Sequence, residues 1–418
     1  MKVIGLITEY NPFHLGHKYH LTMSKKLTNS DYSVAIMSGS FVQRGEPSLV
    51  DKWTKAKMAI DNGVDLVIEL PFIFSTQSAE LFAYGSIALL HNLNIIDYVV
   101  FGSELGSLDC LREIAQILVE EPPYYRECLK KYLDEGNSFS VSRSNALEDY
   151  FNKFKTDRKN NINIKDILKM SNNILAIEYL KALMVLNSKI QPVTVKRIGS
   201  SYTESQINHE IASATGIRNK IINGNIESVK KYLPIQSYVH LINYINKYKN
   251  FNMLDNYTQI IHYLLKISPI DNLVQTMDVE TGLENRIVNQ SAQYYNINDL
   301  IQGITTKRYT KTRIQRILIH LMANLTKPIF KDLYPQYPTY IRVLGANQKG
   351  FLLLNRIKEE SNLPIIVKFS DYNKYDDPYL NKILFFDKKA TDLFFLGLNT
   401  KKPYMNMDYY TTPYIKKK

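Results

Sequence analysis

The chain has 418 residues, of which 45% are hydrophobic and 22% charged, and only two cysteines, Cys110 and Cys128. This length exceeds what one hydrophobic core usually supports, so we expect two or three domains. Two cysteines without a CxxC pair argue against a disulfide framework and a structural zinc site, and they fit a reducing, cytoplasmic compartment. Because the start lacks an apolar leader and charges interrupt the most apolar stretch, residues 66–101, we expect neither a secretory signal nor a membrane-spanning helix.

Positive charge is unevenly distributed along the chain. The 52 Lys and Arg exceed the 40 Asp and Glu by the formal net charge of +12. Residues 301–418 contain 21 basic and 9 acidic residues and hold this whole excess, whereas residues 1–300 contain 31 of each. Such asymmetry is typical of a segment that contacts nucleic acid, and a solvated basic surface is the alternative.

The first hundred residues alternate short apolar runs with amphipathic segments. Strands are predicted at residues 3–8, 32–37, 66–69 and 98–102. Helices are predicted at residues 18–26, 51–62 and 79–90. Alternation of this kind predicts an α/β fold with a Rossmann-like parallel sheet.

The remainder of the chain is predicted to be mainly helical. Residues 111–187 and 217–323 have helical periodicity, although residues 136–163 are polar and expected to be exposed. The other predicted features are a strand at 193–197, a polar loop at 199–209, a strand at 340–344, a helix at 349–359 and an extended segment at 364–369. We therefore divide the chain into a first domain (residues 1–220), a helical region (221–330) and a small basic α/β module (331–418).

The clearest chemical signal is His14-Leu15-Gly16-His17, which lies between the first predicted strand and the first predicted helix. A helix N-terminus presents N–H groups and partial positive charge to a phosphate, and a glycine allows close approach. Two imidazoles can donate hydrogen bonds to phosphate oxygens, more strongly as charge develops in a transition state. The motif predicts a nucleotide site with His14 and His17 as catalytic residues, and a pair of structural histidines is the alternative.

Residues 5–17, with the sequence GLITEYNPFHLGH, resemble the start of HIGH-type nucleotidyltransferases. Later segments are similar, more narrowly, to the bacterial tRNA(Met) cytidine acetate ligase family. These segments, which together run through most of the chain, are residues 37–47, 65–71, 101–104, 171–180, 196–199, 211–218 and 340–345.

The resemblance implies an ATP-dependent ligase that activates acetate as acetyl-adenylate and releases pyrophosphate. The acetyl group would then pass to the exocyclic amine of the wobble cytidine (position 34) of elongator tRNA(Met), forming N4-acetylcytidine. ATP would be a substrate, accompanied by Mg²⁺. One alternative is a nucleotidyltransferase acting on a small phosphate ester, which the basic C-terminal segment disfavours. Another is a non-catalytic RNA-binding protein, which the intact His14, Gly16 and His17 disfavour.

The resemblance also implies which residues bind ATP. These are Ile7, Thr8, Glu9, Tyr10, Asn11, Pro12, Phe13, His14, Leu15, Gly16, His17, Lys18, Tyr19, His20, Gly102, Asn172 and Arg197. Gly102 ends the fourth predicted strand, at the edge where open parallel sheets bind nucleotides. Asn172 offers a donor and an acceptor, and Arg197 can bind a phosphate with two parallel hydrogen bonds.

A second phosphate-binding motif is predicted at Ser213, Thr215 and Arg218, where an ordinary capped helix is the alternative. Lys169-Met170-Ser171 begins like the lysine loop of synthetases but continues with two asparagines, which favours the nucleotidyltransferase branch. The polar loop 38–46 could close over acetate or contact RNA. Three tyrosines near basic residues could stack on RNA bases or pack in the core: Tyr309, Tyr334 and Tyr340.

Overall fold

A computed structural model of the chain describes residues 1–154, 163–197, 212–400 and 402–417. The strands are β1 (Val3–Thr8), β2 (Tyr32–Ser38), β3 (Phe41–Val42), β4 (Glu46–Pro47), β5 (Leu66–Leu70), β6 (Tyr98–Ser103), β7 (Gln191–Lys196), β8 (Ile341–Ala346), β9 (Ile365–Ile366) and β10 (Tyr414–Ile415). The polar loop predicted at residues 199–209 lies outside the described residues.

Helices cover most of the remaining described chain. They are α1 (Leu15–Thr28), α2 (Lys52–Asp61), α3 (Phe72–Ser75), α4 (Ala79–Asn92), α5 (Asp109–Glu120), α6 (Pro123–Asp134), α7 (Phe139–Phe154), α8 (Ile164–Lys169), α9 (Ser171–Val185), α10 (Ala214–Ile222), α11 (Ile235–Tyr248), α12 (Thr258–Ile267), α13 (Ile270–Gln275), α14 (Leu283–Gln293), α15 (Ile297–Ile304), α16 (Lys311–Ala323), α17 (Lys327–Leu333), α18 (Gln348–Glu360), α19 (Pro378–Gly397) and α20 (Met407–Tyr410). Short 3-10 helices lie at Glu227–Tyr232, Leu254–Tyr257, Tyr334–Gln336 and Phe369–Lys374. No described helix is both long and apolar enough to cross a bilayer.

One mostly parallel sheet organises the molecule, with the strand order β10-β8-β5-β2-β1-β6-β7 and β9 beside β8. β1 lies between β2 and β6 and runs parallel to both. Strands β2 and β5 are apolar and almost entirely buried, as expected where helices cover both faces of a parallel sheet. The predicted α/β class and the four N-terminal strands are therefore confirmed.

The C-terminal segment shares the sheet of the N-terminal strands rather than forming a sheet of its own. β8 runs antiparallel to β5, with Ile68 opposite Val343, and α18 packs on β2 and β5. The hydrophobic pattern of a strand does not show which distant strand it pairs with, so the sequence indicated only a separate small module. The domain boundaries at residues 220 and 330 stay a prediction.

The expectation of an exposed polar stretch at residues 136–163 was wrong for the part that the structure describes. α7 occupies residues 139–154, and its Ala146, Leu147 and Phe151 are buried. Their spacing of one, four and five residues places them on one face of a helix, which packs against α6. The many polar residues of this segment lie on the other faces and hid the apolar stripe.

Candidate active site at the first strand and helix

The turn between β1 and α1 is held by the core on one side and by a hydrogen bond on the other. Tyr10 has a positive φ of 46°, and its ring packs against the buried ring of Phe13, with centroids 4.7 Å apart. The amide oxygen of Asn11 accepts the N–H of Leu49 at 2.8 Å. These contacts direct the chain so that His14 begins the first helix at the carboxyl edge of the sheet.

His14 and His17 cap helix α1 reciprocally. His14 Nδ1 accepts the N–H of Gly16 at 3.0 Å, and His17 Nδ1 lies 3.3 Å from the N–H of His14. The two rings stack with centroids 3.8 Å apart. Because a ring nitrogen that accepts an N–H carries no proton, each neutral ring has its proton on Nε2. The Gly16 N–H is thus already bonded to an imidazole, the His14 ring presents an Nε2–H donor, and the His17 ring interacts with the backbone of Pro12.

Burial keeps the histidines of α1 uncharged. Burial, together with the positive charges of Arg197 and Arg218, lowers the pKa of His14 to about 4. Burial also lowers the pKa of His20 to about 4 and that of His17 well below its ordinary value. All three rings are therefore neutral near pH 7, where they can donate hydrogen bonds without contributing positive charge.

The second predicted phosphate motif lies against the first. The guanidinium of Arg218 donates to the backbone oxygen of Asn11 at 3.1 Å and to the Thr215 hydroxyl at 3.3 Å. It also forms a 3.3 Å ion pair with Glu46. Ser213 caps α10 by accepting a backbone N–H of the first turn. The structure thus brings together two motifs that lie about two hundred residues apart in the sequence.

Gly102 and Arg197 are neighbours at the ends of β6 and β7. A Cβ added at Gly102 would lie 3.0 Å from Cγ of Arg197, and the Arg197 N–H donates to the Ser103 carbonyl at 2.9 Å. α1 packs against β1, β6 and β7. The charge of Arg197 consequently acts on the histidines of α1 and helps to lower the pKa of His14.

Asn172 makes its side-chain contact with Glu104. Its Nδ2 donates to Glu104 Oε1 at 2.6 Å, and the N–H of Asn173 donates to Oε2 at 2.8 Å. Asn173 Oδ1 accepts the Glu104 N–H at 3.0 Å. Glu104 therefore caps α9 with its carboxylate and fixes the amide of Asn172, a role that the sequence reading missed because the two residues are 68 positions apart.

Lys55 is a second residue that the sequence reading missed. Its ammonium group is fully buried and donates to the backbone oxygens of Glu9, Ser38 and Gly39 and to the Ser48 hydroxyl, at 2.7–3.2 Å. Burial lowers the pKa of Lys55 to about 7, while the four oxygen acceptors favour the ammonium form. Lys55 thereby ties the predicted ATP segment to the loop after β2. The only sequence feature that indicates the burial of Lys55 is its position on the apolar face of α2.

A buried ionic cluster lies next to Lys55 on the same helix. Lys52 Nζ lies 2.9 Å from both oxygens of Glu69 and 2.8 Å from Asp408, whose carboxylate is also 3.7 Å from Arg342. Asp51 and Lys52 lie at the start of the predicted helix 51–62, a position where charged side chains are often exposed. Asp51 does cap α2, by accepting the N–H of its third residue, but both side chains are buried.

The loop at residues 38–46 forms the β3–β4 hairpin. Arg44 is exposed at its turn, and Gly45, with a φ of 74°, packs so closely on α16 that a Cβ would meet the Arg316 nitrogen at 2.3 Å. Gln43 N–H donates to the Glu9 carboxylate at 2.8 Å. The hairpin thus adjoins the predicted ATP segment, and its proposed contact with acetate or RNA stays a prediction.

The three tyrosines weighed as RNA contacts differ in environment. Tyr340 is buried and its hydroxyl contacts Asp387, so it belongs to the core. Tyr334 is half-buried among aromatic rings. Tyr309 is half-buried with Arg308 and Arg313 each 5.5 Å from its ring centroid. Burial therefore removes one of the three from an RNA surface.

Comparisons with known proteins agree with this architecture. The model of the HIGH Nucleotidyl Transferase family matches residues 1–408. The tRNA(Met) cytidine acetate ligase of Thermoanaerobacter sp. (strain X514) is 46% identical over 400 residues, which cover 95% of this chain and 96% of that protein. The protein of the same name from Clostridium perfringens (strain SM101 / Type A) is 42% identical over 419 residues, covering 99% of this chain and 100% of the relative.

Solved structures give the same result in three dimensions. The crystal structure of Thermotoga maritima TmcAL bound with alpha-thio ATP has a TM-score of 0.92 and 33% sequence identity, and the match covers 99% of each chain. The apo form of the same protein matches equally well. The fold, the length and the identity to these relatives agree along nearly the whole sequence, and the chain belongs to the tRNA(Met) cytidine acetate ligase family of HIGH nucleotidyltransferases.

Proposed function

We propose that this chain is an ATP-dependent ligase that acetylates the exocyclic amine of the wobble cytidine of elongator tRNA(Met). Relatives bearing the name tRNA(Met) cytidine acetate ligase align with it from end to end. The observation that carries the chemistry is the stacked pair of neutral imidazoles His14 and His17, on which the charge of Arg197 acts, with that of Arg218 also acting on His14. A tRNA substrate places this activity in the cytoplasm.

In the first half-reaction, ATP binds along the β1–α1 turn. Arg197 and Arg218 supply fixed positive charge for the phosphates, and the imidazoles of His14 and His17 donate to oxygens of the phosphates as negative charge develops there. An acetate oxygen attacks the α-phosphorus, the bond from phosphorus to the β-bridging oxygen breaks, and pyrophosphate leaves. The products are acetyl-adenylate and pyrophosphate.

In the second half-reaction, the exocyclic nitrogen of the cytidine attacks the acetyl carbonyl carbon. The bond between that carbon and the adenylate oxygen breaks, AMP leaves, and the nitrogen loses one proton. The overall reaction consumes ATP and acetate and yields N4-acetylcytidine, AMP and pyrophosphate. The β3–β4 hairpin, which adjoins Glu9, is the proposed wall of the acetate site.

Magnesium is proposed to enter as the complex with ATP. In the described part of the chain, no group of three or more His, Cys, Asp or Glu is arranged to hold a metal ion. Mg²⁺ prefers to keep several water ligands and to bind substrate phosphates, so a protein cage is not required. The positive charges of Arg197 and Arg218 would share the neutralisation of the triphosphate.

Two measurements test this function. Pyrophosphate exchange into ATP should require acetate, and labelled acetate should enter elongator tRNA(Met) only when ATP is present. The alternative nucleotidyltransferase would instead release pyrophosphate with a small phosphate ester and without acetate. Exchange that is independent of acetate would therefore refute the ligase.

A further inference from the structure

A shallow surface cavity of about 490 Å³ lies where α10 meets the 3-10 helix Glu227–Tyr232. It is lined by Lys220, Lys230 and Lys231 together with Glu227 and Ser228, and we call it the lysine cavity. All three lysines are exposed. Three lysines and one carboxylate therefore line the same space.

The positive charge of the lysine cavity is available for a ligand. Among the residues that the structure describes, no carboxylate lies within ion-pair distance of Lys220, Lys230 or Lys231. The single acidic group, Glu227, accepts a hydrogen bond from the Tyr238 hydroxyl at 2.6 Å. That bond holds the carboxylate in place without cancelling the three cations.

Tyr232 lies close to two of the three lysines. The ammonium groups of Lys220 and Lys231 lie 5.1 and 5.0 Å from its ring centroid. A hydrogen bond from Lys231 lowers the pKa of the Tyr232 hydroxyl, and the charge of Lys220 lowers it further. Both lysines therefore act on one point, which is the arrangement that a phosphate group requires.

Three arginines near Tyr309 are, by contrast, already paired with carboxylates. Glu280 lies 2.8 Å from both Arg308 and Arg313, and Asp278 lies 2.9 Å from Arg316. Two carboxylates thus pair with these three arginines. The lysine cavity is a stronger candidate for an anionic partner than these arginines, although it lies in the part of the chain without net charge.

One helix, α10, carries residues of both the lysine cavity and the candidate ATP site. Arg218 of this helix donates to the carbonyl of Asn11, and Lys220 follows two residues later. α10 has nine residues, so at 1.5 Å per residue it is about 13 Å long. Because residues two positions apart point to different sides of a helix, the lysine cavity and the ATP site lie on different sides of α10, and a few nucleotides of one RNA strand can span a helix of this length.

We propose that the lysine cavity binds backbone phosphates of the tRNA substrate beside the reacting cytidine. This inference rests on the proposed function, because it takes the RNA whose cytidine reacts at the neighbouring site as the partner. Phosphate contacts of this kind fix register and orientation and carry no base specificity. The cavity would hold the anticodon strand while the base to be acetylated enters the active site.

The test replaces Lys230 and Lys231 by Ala in the full-length chain. We expect tRNA affinity near 0.15 M salt to fall about tenfold, and the slope of log K against log salt to become shallower by about 1.5, since each lost phosphate contact removes roughly 0.7–0.9. Acetate-dependent pyrophosphate exchange without tRNA should stay within about twofold of wild type, because both lysines lie outside the ATP site.

The chain provides a matched control. The sequence Lys-Lys-Tyr-Leu occurs at residues 230–233 and again at 130–133, and Lys130 and Lys131 on α6 are also exposed. The Lys130→Ala/Lys131→Ala variant has the same change in net charge and should retain tRNA affinity. Unchanged affinity in the 230/231 variant, or an equal loss in both, would overturn the proposal.

Thermal unfolding and a second pair of substitutions serve as controls. Thermal unfolding of each variant establishes that it is folded, and Lys230→Gln/Lys231→Gln repeats the test if the alanine variant is unstable. Wild-type protein that shows no acetate-dependent exchange would refute the proposed function, whatever its affinity for tRNA. Wild-type exchange combined with unaltered tRNA binding in the variants would refute only the lysine cavity.

Discussion

His14 has two roles that a single substitution can separate. Its Nδ1 accepts the Gly16 N–H at the start of α1, whereas its Nε2–H is the proposed donor to ATP phosphates. Asparagine is among the best helix-capping residues, and its amide oxygen can take the place of Nδ1. It has no atom at the position of Nε2. His14→Asn should therefore keep the helix cap and remove the donor.

The expected magnitudes differ enough to be measured separately. Loss of a capping side chain costs about 1 kcal/mol of stability, whereas removal of one transition-state donor costs roughly 10²–10³ in rate. We expect His14→Asn to unfold at nearly the wild-type urea concentration and to lose two to three decades of pyrophosphate exchange. His14→Ala should lose both stability and rate.

The assay is acetate-dependent pyrophosphate exchange, with urea unfolding of the same preparations as the control. A His14→Asn enzyme that exchanges pyrophosphate near the wild-type rate would refute a role for Nε2–H in the reaction. His14 would then be a structural cap alone.

Three further predictions concern the surroundings of this residue. Arg197→Lys keeps the positive charge but cannot form two parallel hydrogen bonds to a phosphate, so the KM for ATP should rise several-fold. Gly102→Ala, whose Cβ would lie 3.0 Å from the Arg197 side chain, should raise the KM less. Unchanged KM values in both variants would show that Arg197 does not bind ATP. Lys55→Met removes the ammonium donor from the Glu9 and Ser38 carbonyls, at about 1–3 kcal/mol each, whereas the Gly39 carbonyl still accepts the Ser48 hydroxyl. Urea titration should therefore show a loss of at least about 2 kcal/mol, and a loss below about 1 kcal/mol would contradict the packing role. Burial lowers the pKa of His14 and His20 to about 4, whereas unfolded histidines titrate near 6.5, so the unfolded chain binds more protons between these pH values. The free energy of unfolding should therefore fall as the pH drops from about 6.5 to 4, and it should fall less steeply in His20→Gln. A flat profile would be inconsistent with buried neutral rings.

Local sequence was sufficient for the part of the site that is continuous in the chain. The apolar run of β1, the turn and the spacing of His14 and His17 predicted a strand, a loop and a helix N-terminus, and all three are present. The helix starts at Leu15 rather than at the predicted residue 18, because the cap is made by histidines and not by a usual capping residue.

Contacts between distant segments could not be predicted from patterns. Lys52 meets Asp408 across more than 350 residues, and nothing in the spacing of either residue indicates a partner. The pairing of β8 with β5 could not be predicted for the same reason, since alternation and hydrophobicity specify a strand but not its neighbour. The C-terminal residues thus stabilise the sheet that carries the site, and removing them to test RNA binding would also remove a strand and a buried ion-pair partner.

Burial determines which side chains of the proposed site carry charge. Two guanidinium groups and a helix N-terminus already concentrate positive potential beside His14, so a protonated imidazole there would be repelled as well as poorly solvated. Arginine retains its charge under these conditions, and histidine does not. In the proposed ATP site the arginines would attract the triphosphate from solution, whereas the neutral imidazoles would contribute directional N–H donors whose hydrogen bonds strengthen as charge develops on the reacting phosphate. This arrangement would favour the transition state over the bound substrate. The charged arginines stabilise both states, whereas the neutral imidazoles act mainly on the transition state.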